Sequence, residues 1–442
     1  MEINNTNNTN NTKNTKNTKN TKNTKNINYN DDNDDNDNIF HIISSLINNN
    51  CIKTGNFTLK SGQISKYYYD IKNIISYPSL LIQISELLYK HIIQSNIQFD
   101  ILCAIPLGSL PICSYISQKY NIPMIVLRDS SKTYGTKSNI DGIIPSVNSK
   151  CIIIDDVITS GLSINNALLS LKDKVNVVAA AVAFDRQQCF FLDNDIPIIT
   201  ALNKTEVTRF NLTRIINTKK SKFCFAADFF SDIETFKNII NFFGPYIVIC
   251  KIHWDLFRNI IKDTQILDTL KNFIIQASIE HDFLIMEDRK FIDITNIVRT
   301  QYLEFSNWVD LVTVHALVTL PTLKSISGAV IVANMSNTFS QDNNLDFSER
   351  AYFLASNATR NIIGFVSQKY IQTSNLFFLM TPGISLDDNI SQDNLDQKYI
   401  SIQKAKDEIK TNIFIIGRSI LKKWNNSNTD NTSIIKLIKT IY

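Results

Sequence analysis

From residue 39 onward, the apolar positions fall into two alternating kinds of segment: short unbroken runs of strand length and longer stretches with helical spacing. The ordered part opens with an amphipathic helix whose apolar seam is Ile39, Ile42, Ile43, Leu46 and Ile47. Strand-like runs follow at Phe99–Ile105, Met124–Leu127, Cys151–Ile154 and Val177–Phe184, with helical stretches between them. Strands alternating with helices predict a parallel sheet with helices on both faces, an α/β domain expected over residues 38–211. A short basic connector (Lys219, Lys220, Lys222) is expected over 212–222.

Eight more runs follow: Phe223–Ala227, Tyr246–Cys250, Phe283–Met286, Leu311–Val314, Ala329–Ala333, Ile362–Val366, Phe377–Met380 and Ile413–Ile416. Nearly every one ends in a polar or special residue: Asp228, Lys251, Asp288, His315, Asn334, Ser367, Thr381 or Arg418. Chemistry gathered at the carboxyl ends of eight strands predicts a (β/α)8 barrel over 223–442. By contrast, residues 1–37 are an Asn-rich tail of Asn-Thr-Lys triplets and an Asp/Asn run, expected to be disordered because nothing in them offsets the entropy of ordering.

Composition narrows the classes. At 442 residues the chain exceeds one ordinary domain, and its 44% hydrophobic content supports two cores. A net charge of +4 is too small to argue for a nucleic-acid or membrane partner. The seven cysteines are scattered without metal-ligand spacing, so no metal ligands are assigned; buried thiols in a reducing compartment are expected. With no apolar stretch of membrane length and no signal-peptide layout, a cytoplasmic location is expected.

Two segments carry the chemistry. In the first, the run Cys151–Ile154 leads into Asp155-Asp156-Val157-Ile158-Thr159-Ser160-Gly161-Leu162-Ser163 and then a helix. Small hydroxyl residues and a glycine between strand and helix aim free amides at an anion, and two carboxylates beside them suit ribose hydroxyls. An ordinary capped helix start accounts for most such sequences, but two adjacent acids closing an isoleucine run do not fit it as well.

This segment resembles the motif by which type I phosphoribosyltransferases bind 5-phosphoribosyl 1-diphosphate (PRPP). Phe57–Gly62, Ser65 and Tyr67–Asp70 resemble the N-terminal motif of orotate phosphoribosyltransferases. The resemblance implies that Lys60 reaches substrate, that Tyr68 and Tyr69 cover orotate, and that Arg186 of Phe184-Asp185-Arg186-Gln187 binds it. It also implies a catalytic loop over Arg128–Gly135, with Lys132 neutralising pyrophosphate, Tyr134 beside it and Asp156 among the catalytic groups. Asp129 and Ser130 depart from the usual Arg-Lys-Glu order after Arg128, removing one cation. The implied reaction joins orotate to PRPP, giving orotidine 5'-phosphate (OMP) and pyrophosphate, with Mg²⁺ bound chiefly through PRPP.

In the second segment, Phe283–Asp293, strand alternation puts Asp288 and Lys290 on one face, with Asp293 just beyond. Lys251, His253 and Asp255 share a face after the preceding strand. Convergence in a barrel predicts a buried row of alternating charge: Lys251, Asp288, Lys290 and Asp293. Gly244–Asp255 and Glu287–Asn296 resemble orotidine-5'-phosphate decarboxylases.

That resemblance implies cofactor-free loss of CO₂ from OMP, with Asp288 near the substrate carboxylate and Lys290 as proton donor. Lys251 and Asp293 position Lys290, and Asp293 reaches into a partner's site, which implies a homodimer. Ser336 matches a pyrimidine contact, Asp228 a ribose contact, and Pro382, Gln397, Tyr399, Gly417 and Arg418 the phosphate grip. Departures are Ile297 for a Thr, Ala226 for a Ser, Asp396 and Lys398 around Gln397, and an expected truncation of the helix before the first barrel strand.

Together the two resemblances span almost everything from Ile39 to the C-terminus, in the eukaryotic bifunctional order. A different barrel decarboxylase fused to the transferase, or a PRPP-sensing regulator, are the alternatives. Ser336, Gln397 and Arg186 weigh against the first, and Lys132 with the Lys/Asp row against the second.

Overall fold

The computed structural model describes residues 31–59, 62, 64–128, 139–188, 196–228, 232–336, 346–386, 398–424 and 431–442. Helix α1 (Asp31–Asn48) begins inside the segment read as a disordered tail, so that reading is corrected for residues 31–37. The acidic run that starts it is a sequence favoured at the positive end of a helix, and the apolar seam follows directly. Ile42, Ile43 and Leu46 of that seam are fully buried.

Residues 39–442 form one compact unit whose two main sheets, one of six strands and one closed into a barrel, are accompanied by two two-stranded sheets. A hairpin of β1 (Ile52–Thr58) and β2 (Ile64–Tyr69) precedes helix α2 (Pro78–Gln94), which Pro78 initiates. Then come β3 (Ile101–Ala104), α3 (Leu110–Tyr120), β4 (Met124–Leu127), β5 (Ile140–Asp141), β6 (Lys150–Ile158), α4 (Leu162–Leu171), β7 (Asn176–Asp185) and β8 (Ile198–Asn203). The strands run in the order β5-β4-β3-β6-β7-β8, parallel except for the β4–β5 pair. Central strands β3 and β6 are apolar on both faces, as a sheet covered twice requires, and strand β6 continues through Asp155 and Asp156 to Ile158.

The connector expected at 212–222, and the truncated helix with it, are both corrected. Helix α5 (Lys204–Lys219) runs from the sheet to the barrel, opened by a capping box in which Asn203 accepts from the Glu206 amide and Glu206 accepts from the Asn203 amide. Val207 packs in the sheet core, whereas Leu212, Ile215 and Ile216 pack under the barrel. A helix buried on nearly every side has no single apolar stripe, which hid it from periodicity.

The barrel closes in the order β9 (Phe223–Ala227), β10 (Ile247–Ile252), β11 (Leu284–Phe291), β12 (Leu311–His315), β13 (Ala329–Val332), β14 (Ile362–Val366), β15 (Phe378–Thr381) and β18 (Ile413–Ile416). All eight neighbours pair in parallel, and a small sheet of β16 (Ile384–Ser385) and β17 (Ile400–Ser401) sits in the β15–β18 connection. The eight predicted runs match these strands within a few residues at each end.

The sheet domain contacts the barrel where barrel strands begin. Lys66 of β2 donates to Asp310 (2.8 Å) and to the Phe283 carbonyl; the Tyr67 hydroxyl donates to the other Asp310 oxygen (2.7 Å). Asp310 also accepts from the Ile285 amide at 2.7 Å. From α5, Lys204 reaches the Ser306 and Val309 carbonyls, Arg209 the Thr359 and Ile362 carbonyls, and Glu206 pairs with Arg360. Burial pushes Lys204 down to about 8 and Arg209 down to about 10, so each charge depends on the carbonyls it meets. Asp310→Ala would leave the Lys66 ammonium buried without its counter-ion; we expect a loss of about 3–5 kcal/mol, read as a lower urea midpoint, and a smaller loss for Asp310→Asn.

Candidate active site

At the opposite rim, where the strands end, the barrel holds a cavity of about 540 Å³. Ten of the predicted residues line it: Asp228, Lys251, His253, Asp288, Lys290, Ser336, Pro382, Tyr399, Gly417 and Arg418. Its floor is a charge cluster centred on Asp288, whose Oδ2 lies 2.8 Å from Lys251 Nζ and 2.9 Å from Lys290 Nζ. Lys251 also meets Asp228 at 2.9 Å, and His253 Nε2 lies 3.2 Å from Asp288.

Burial opposes the charge on Asp288, but Lys251, Lys290 and His253 more than offset it and hold the carboxyl well below the usual range. For Lys251, burial is likewise outweighed by Asp228 and Asp288, which raise its affinity for the proton. Asp288 and Lys251 therefore face one another as an ion pair near neutrality.

Local backbone geometry aims Lys290. Its φ of 52° is left-handed, the β11–β12 register shifts between Glu287 and Phe291, and its amide donates to Thr313 Oγ1 at 2.9 Å. Thr313 in turn donates to Asp288 Oδ1 at 2.8 Å, so one hydroxyl ties the bulge to the carboxylate. Thr313 escaped the sequence reading because it lies on the neighbouring strand, with no motif of its own.

Asp293 does not join this row within its own chain. Strand β11 ends at Phe291; Asp293 is exposed, and its carboxylate accepts from the Ile294 amide. Ile292, Ile294 and Ile297 around it are exposed too.

The same cavity is lined by groups expected to grip phosphate. The Arg418 guanidinium lies 5.8 Å from the Tyr399 ring centre, and Gln368 holds the Pro382 and Lys398 carbonyls. Gly417 is required where it stands, since a Cβ there would lie 2.9 Å from the Ala226 carbonyl oxygen. Gln397 lies outside the described residues.

In the sheet domain, Asp155 and Asp156 are buried near the end of β6. Burial and the charge of Asp156 push the Asp155 carboxyl up to about 8. Gly108 is needed beside them, because a Cβ there would fall 2.1 Å from Asp156 Oδ2; sequence reasoning passed over it. Thr159 and Ser160 follow, Gly161 takes a φ of 83° at the head of α4, and Ser163 is exposed in its first turn.

Tyr69 stacks on Phe184 at 4.5 Å and lies under the Arg186 guanidinium at 5.5 Å. Strand alternation turns the neighbouring Tyr68 away, toward Lys53 and Phe57. Arg128 pairs with Asp141 across β4 and β5. Lys60, Lys132 and Tyr134 lie outside the described residues.

Residues 221–429 match the model of the "Orotidine 5'-phosphate decarboxylase / HUMPS family", and residues 70–212 match the "Phosphoribosyl transferase domain" model. The uridine 5'-monophosphate synthase of Bos taurus is 28% identical over 87% of this chain and 93% of its own length. The chain belongs to the uridine 5'-monophosphate synthase family. Each half has relatives of its own. The orotate phosphoribosyltransferase of Methanosphaera stadtmanae is 35% identical over 38% of this chain and 96% of its own length. The orotidine 5'-phosphate decarboxylase of Kodamaea ohmeri is 29% identical over 48% of this chain and 84% of its own. The sheet domain is thus the transferase and the barrel the decarboxylase.

Glu287 sits behind the decarboxylase cluster, buried, accepting from the Trp254 amide at 3.0 Å. Burial, with Asp288 beside it, pushes its carboxyl up to about 8. A carboxyl whose folded pKa is raised stays protonated in the folded chain while the unfolded chain ionises, so wild-type stability falls between pH 4.5 and about 8. Glu287→Gln removes that loss, and its urea midpoint should gain on wild type as pH rises from 5 to 8; parallel curves would refute the assignment.

Proposed function

We propose that this chain makes uridine 5'-monophosphate in two steps: orotate and PRPP give OMP and pyrophosphate, then OMP loses CO₂. The observation that carries the second step is one buried carboxylate, Asp288, held between the ammonium groups of Lys251 and Lys290 in a cavity that Arg418 also lines.

With the OMP phosphate at Arg418 and Tyr399 and the pyrimidine near Ser336, the C6 carboxylate would lie toward Asp288. The C6–carboxylate bond breaks, its electron pair stays at C6, and Lys290 Nζ supplies the proton that C6 takes up. Lys251, pinned by Asp228 and Asp288, fixes the cluster so that little reorganisation remains for the reaction itself. Energy from the remote phosphate contacts offsets the crowding of two carboxylates. No cofactor is assigned to this half.

In the transferase half, orotate N1 attacks C1' of PRPP as the bond to pyrophosphate breaks, and the proton N1 gives up leaves with the departing pyrophosphate. Asp155 and Asp156 are placed to accept from the ribose hydroxyls, the loop Thr159–Ser163 to hold the 5'-phosphate, and Arg186 to pair with the orotate carboxylate. Asp155 and Asp156 also offer hard oxygen donors that fit Mg²⁺. Among the described residues no group of three or more His, Cys, Asp and Glu could hold a metal, and the cation is assigned mainly to diphosphate oxygens. Bound there, it would neutralise the charge of the leaving pyrophosphate. We extend these roles to Lys60, Lys132 and Tyr134 on resemblance alone.

We propose domain limits near 38–211 and 223–442 with α5 bridging them, and a cytoplasmic location in keeping with the six free cysteines among the described residues, all buried. No helix among the described residues is long and apolar enough to cross a membrane. The exposed isoleucines around Asp293 support a homodimer in which Asp293 completes the partner's decarboxylase site.

Lys290→Ala should stop CO₂ release from labelled orotate while OMP accumulates, and Asp156→Asn should slow OMP formation while added OMP is still decarboxylated; unchanged CO₂ release by Lys290→Ala would refute the proton donor. Neither Lys290→Ala nor Asp293→Ala should decarboxylate alone. Mixed after gentle dissociation, they should recover about a quarter of wild-type activity, since half of random dimers carry one intact site. No recovery, with dimer exchange verified by mass, would refute the shared site.

A further inference from the structure

The barrel loop 306–310, between the helix Thr295–Leu303 and β12, touches both segments of the transferase domain assigned to orotate. On the hairpin side, Ser65 Oγ and the Lys66 amide donate to the Asn307 carbonyl at 3.3 Å, and Asp310 holds Lys66 and Tyr67. On the β7 side, Arg186 Nη2 lies 3.4 Å from Asn307 Oδ1 and Gln188 Nε2 donates to the same oxygen at 2.8 Å. Gln188 also meets the Ser306 carbonyl. One barrel residue thus holds Arg186 through its side chain and the strand that carries Tyr69 through its backbone.

Between these two grips, Tyr69 and Arg186 stack on one another. Both keep a polar atom, the Tyr69 hydroxyl and Arg186 Nε, that is enclosed yet has no hydrogen-bond partner among the described residues. Burial lowers the proton affinity of Arg186, partly countered by Tyr69, and no acidic side chain pairs with its guanidinium among the contacts described. A neutral amide oxygen orients the guanidinium without cancelling its charge, leaving that charge for an anionic ligand.

We infer that Asn307, a residue of the decarboxylase barrel, is a positioning residue for the transferase reaction: it sets Arg186 against Tyr69 so that the guanidinium meets the orotate carboxylate. The inference rests on the assignment of Arg186 to orotate. The first reaction is then built on both domains, and the barrel rim facing away from the decarboxylase cavity has work in the transferase step.

Full-length Asn307→Ala, Asn307→Asp and Arg186→Ala separate the possibilities, each assayed for KM of orotate, KM of PRPP, transferase kcat and decarboxylation of OMP. Removing one orienting hydrogen bond should raise KM for orotate about fivefold in Asn307→Ala, with KM for PRPP, transferase kcat and OMP decarboxylation within about twofold of wild type. Asn307→Asp should raise KM for orotate further than Ala, because the new carboxylate captures the guanidinium.

A merely structural Asn307 predicts the reverse order, with the near-isosteric Asp milder than Ala, and that order would overturn the inference. If Arg186→Ala raises KM for orotate and both Asn307 variants leave it unchanged, the inference fails and the orotate assignment stands. If Arg186→Ala leaves it unchanged, the assignment itself falls and the inference with it.

Discussion

Two ammonium groups share one buried carboxylate at the centre of the barrel, and the site around them is organised to keep all three charged. Asp288 without Lys251 and Lys290 would be an uncompensated ion inside a protein core, a situation costing several kcal/mol. Asp228 does the same for Lys251, and Thr313 occupies the second oxygen of Asp288. Because each ion offsets the desolvation of its neighbour, none can move alone. That rigidity is what a reaction through a carbon anion demands, since the stabilising dipoles must already point the right way when the bond breaks.

The same constraint recurs at the other rim in a structural role. Lys66, Lys204 and Arg209 enter the barrel base and are met by Asp310 and a set of strand-end carbonyls. These carbonyls lie in the loops that lead into β12 and β14 or at the first residue of β14. The transferase domain docks on backbone carbonyls at the barrel base, and α5 carries the link covalently. The decarboxylase cavity opens at the rim where strands end, whereas Tyr69 and Arg186 border the rim where they begin. The decarboxylase cavity and the pair proposed to hold orotate thus lie at opposite ends of one barrel.

Much of this was legible in the chain. Eight apolar runs ending in polar residues announced the barrel because parallel strands buried on both faces leave an unbroken apolar signal. Asp288 and Lys290 were assigned to one face from spacing alone, and they meet at 2.9 Å. The left-handed turn at Lys290 was not legible, because its cause is the Thr313 hydroxyl on another strand. Nor was α5, whose lysine, arginine and threonine positions read as a polar connector until their buried partners are seen. Tyr68 and Tyr69 read as a pair, yet alternation sends them to opposite sides of β2.

By itself the sequence determined the order of elements, the two fold types and the identity of the ionisable groups, since these follow from local periodicity and short motifs. The tertiary structure alone decided which groups meet: that Asp288 is shared, that Asp293 lies outside the row of its own chain, and that Asn307 touches Arg186 from another domain. The physical reason is range. Propensity and burial pattern act over a few residues along the chain, whereas charge pairing and hydrogen-bond satisfaction act through space, between positions whose separation closes only when the barrel does.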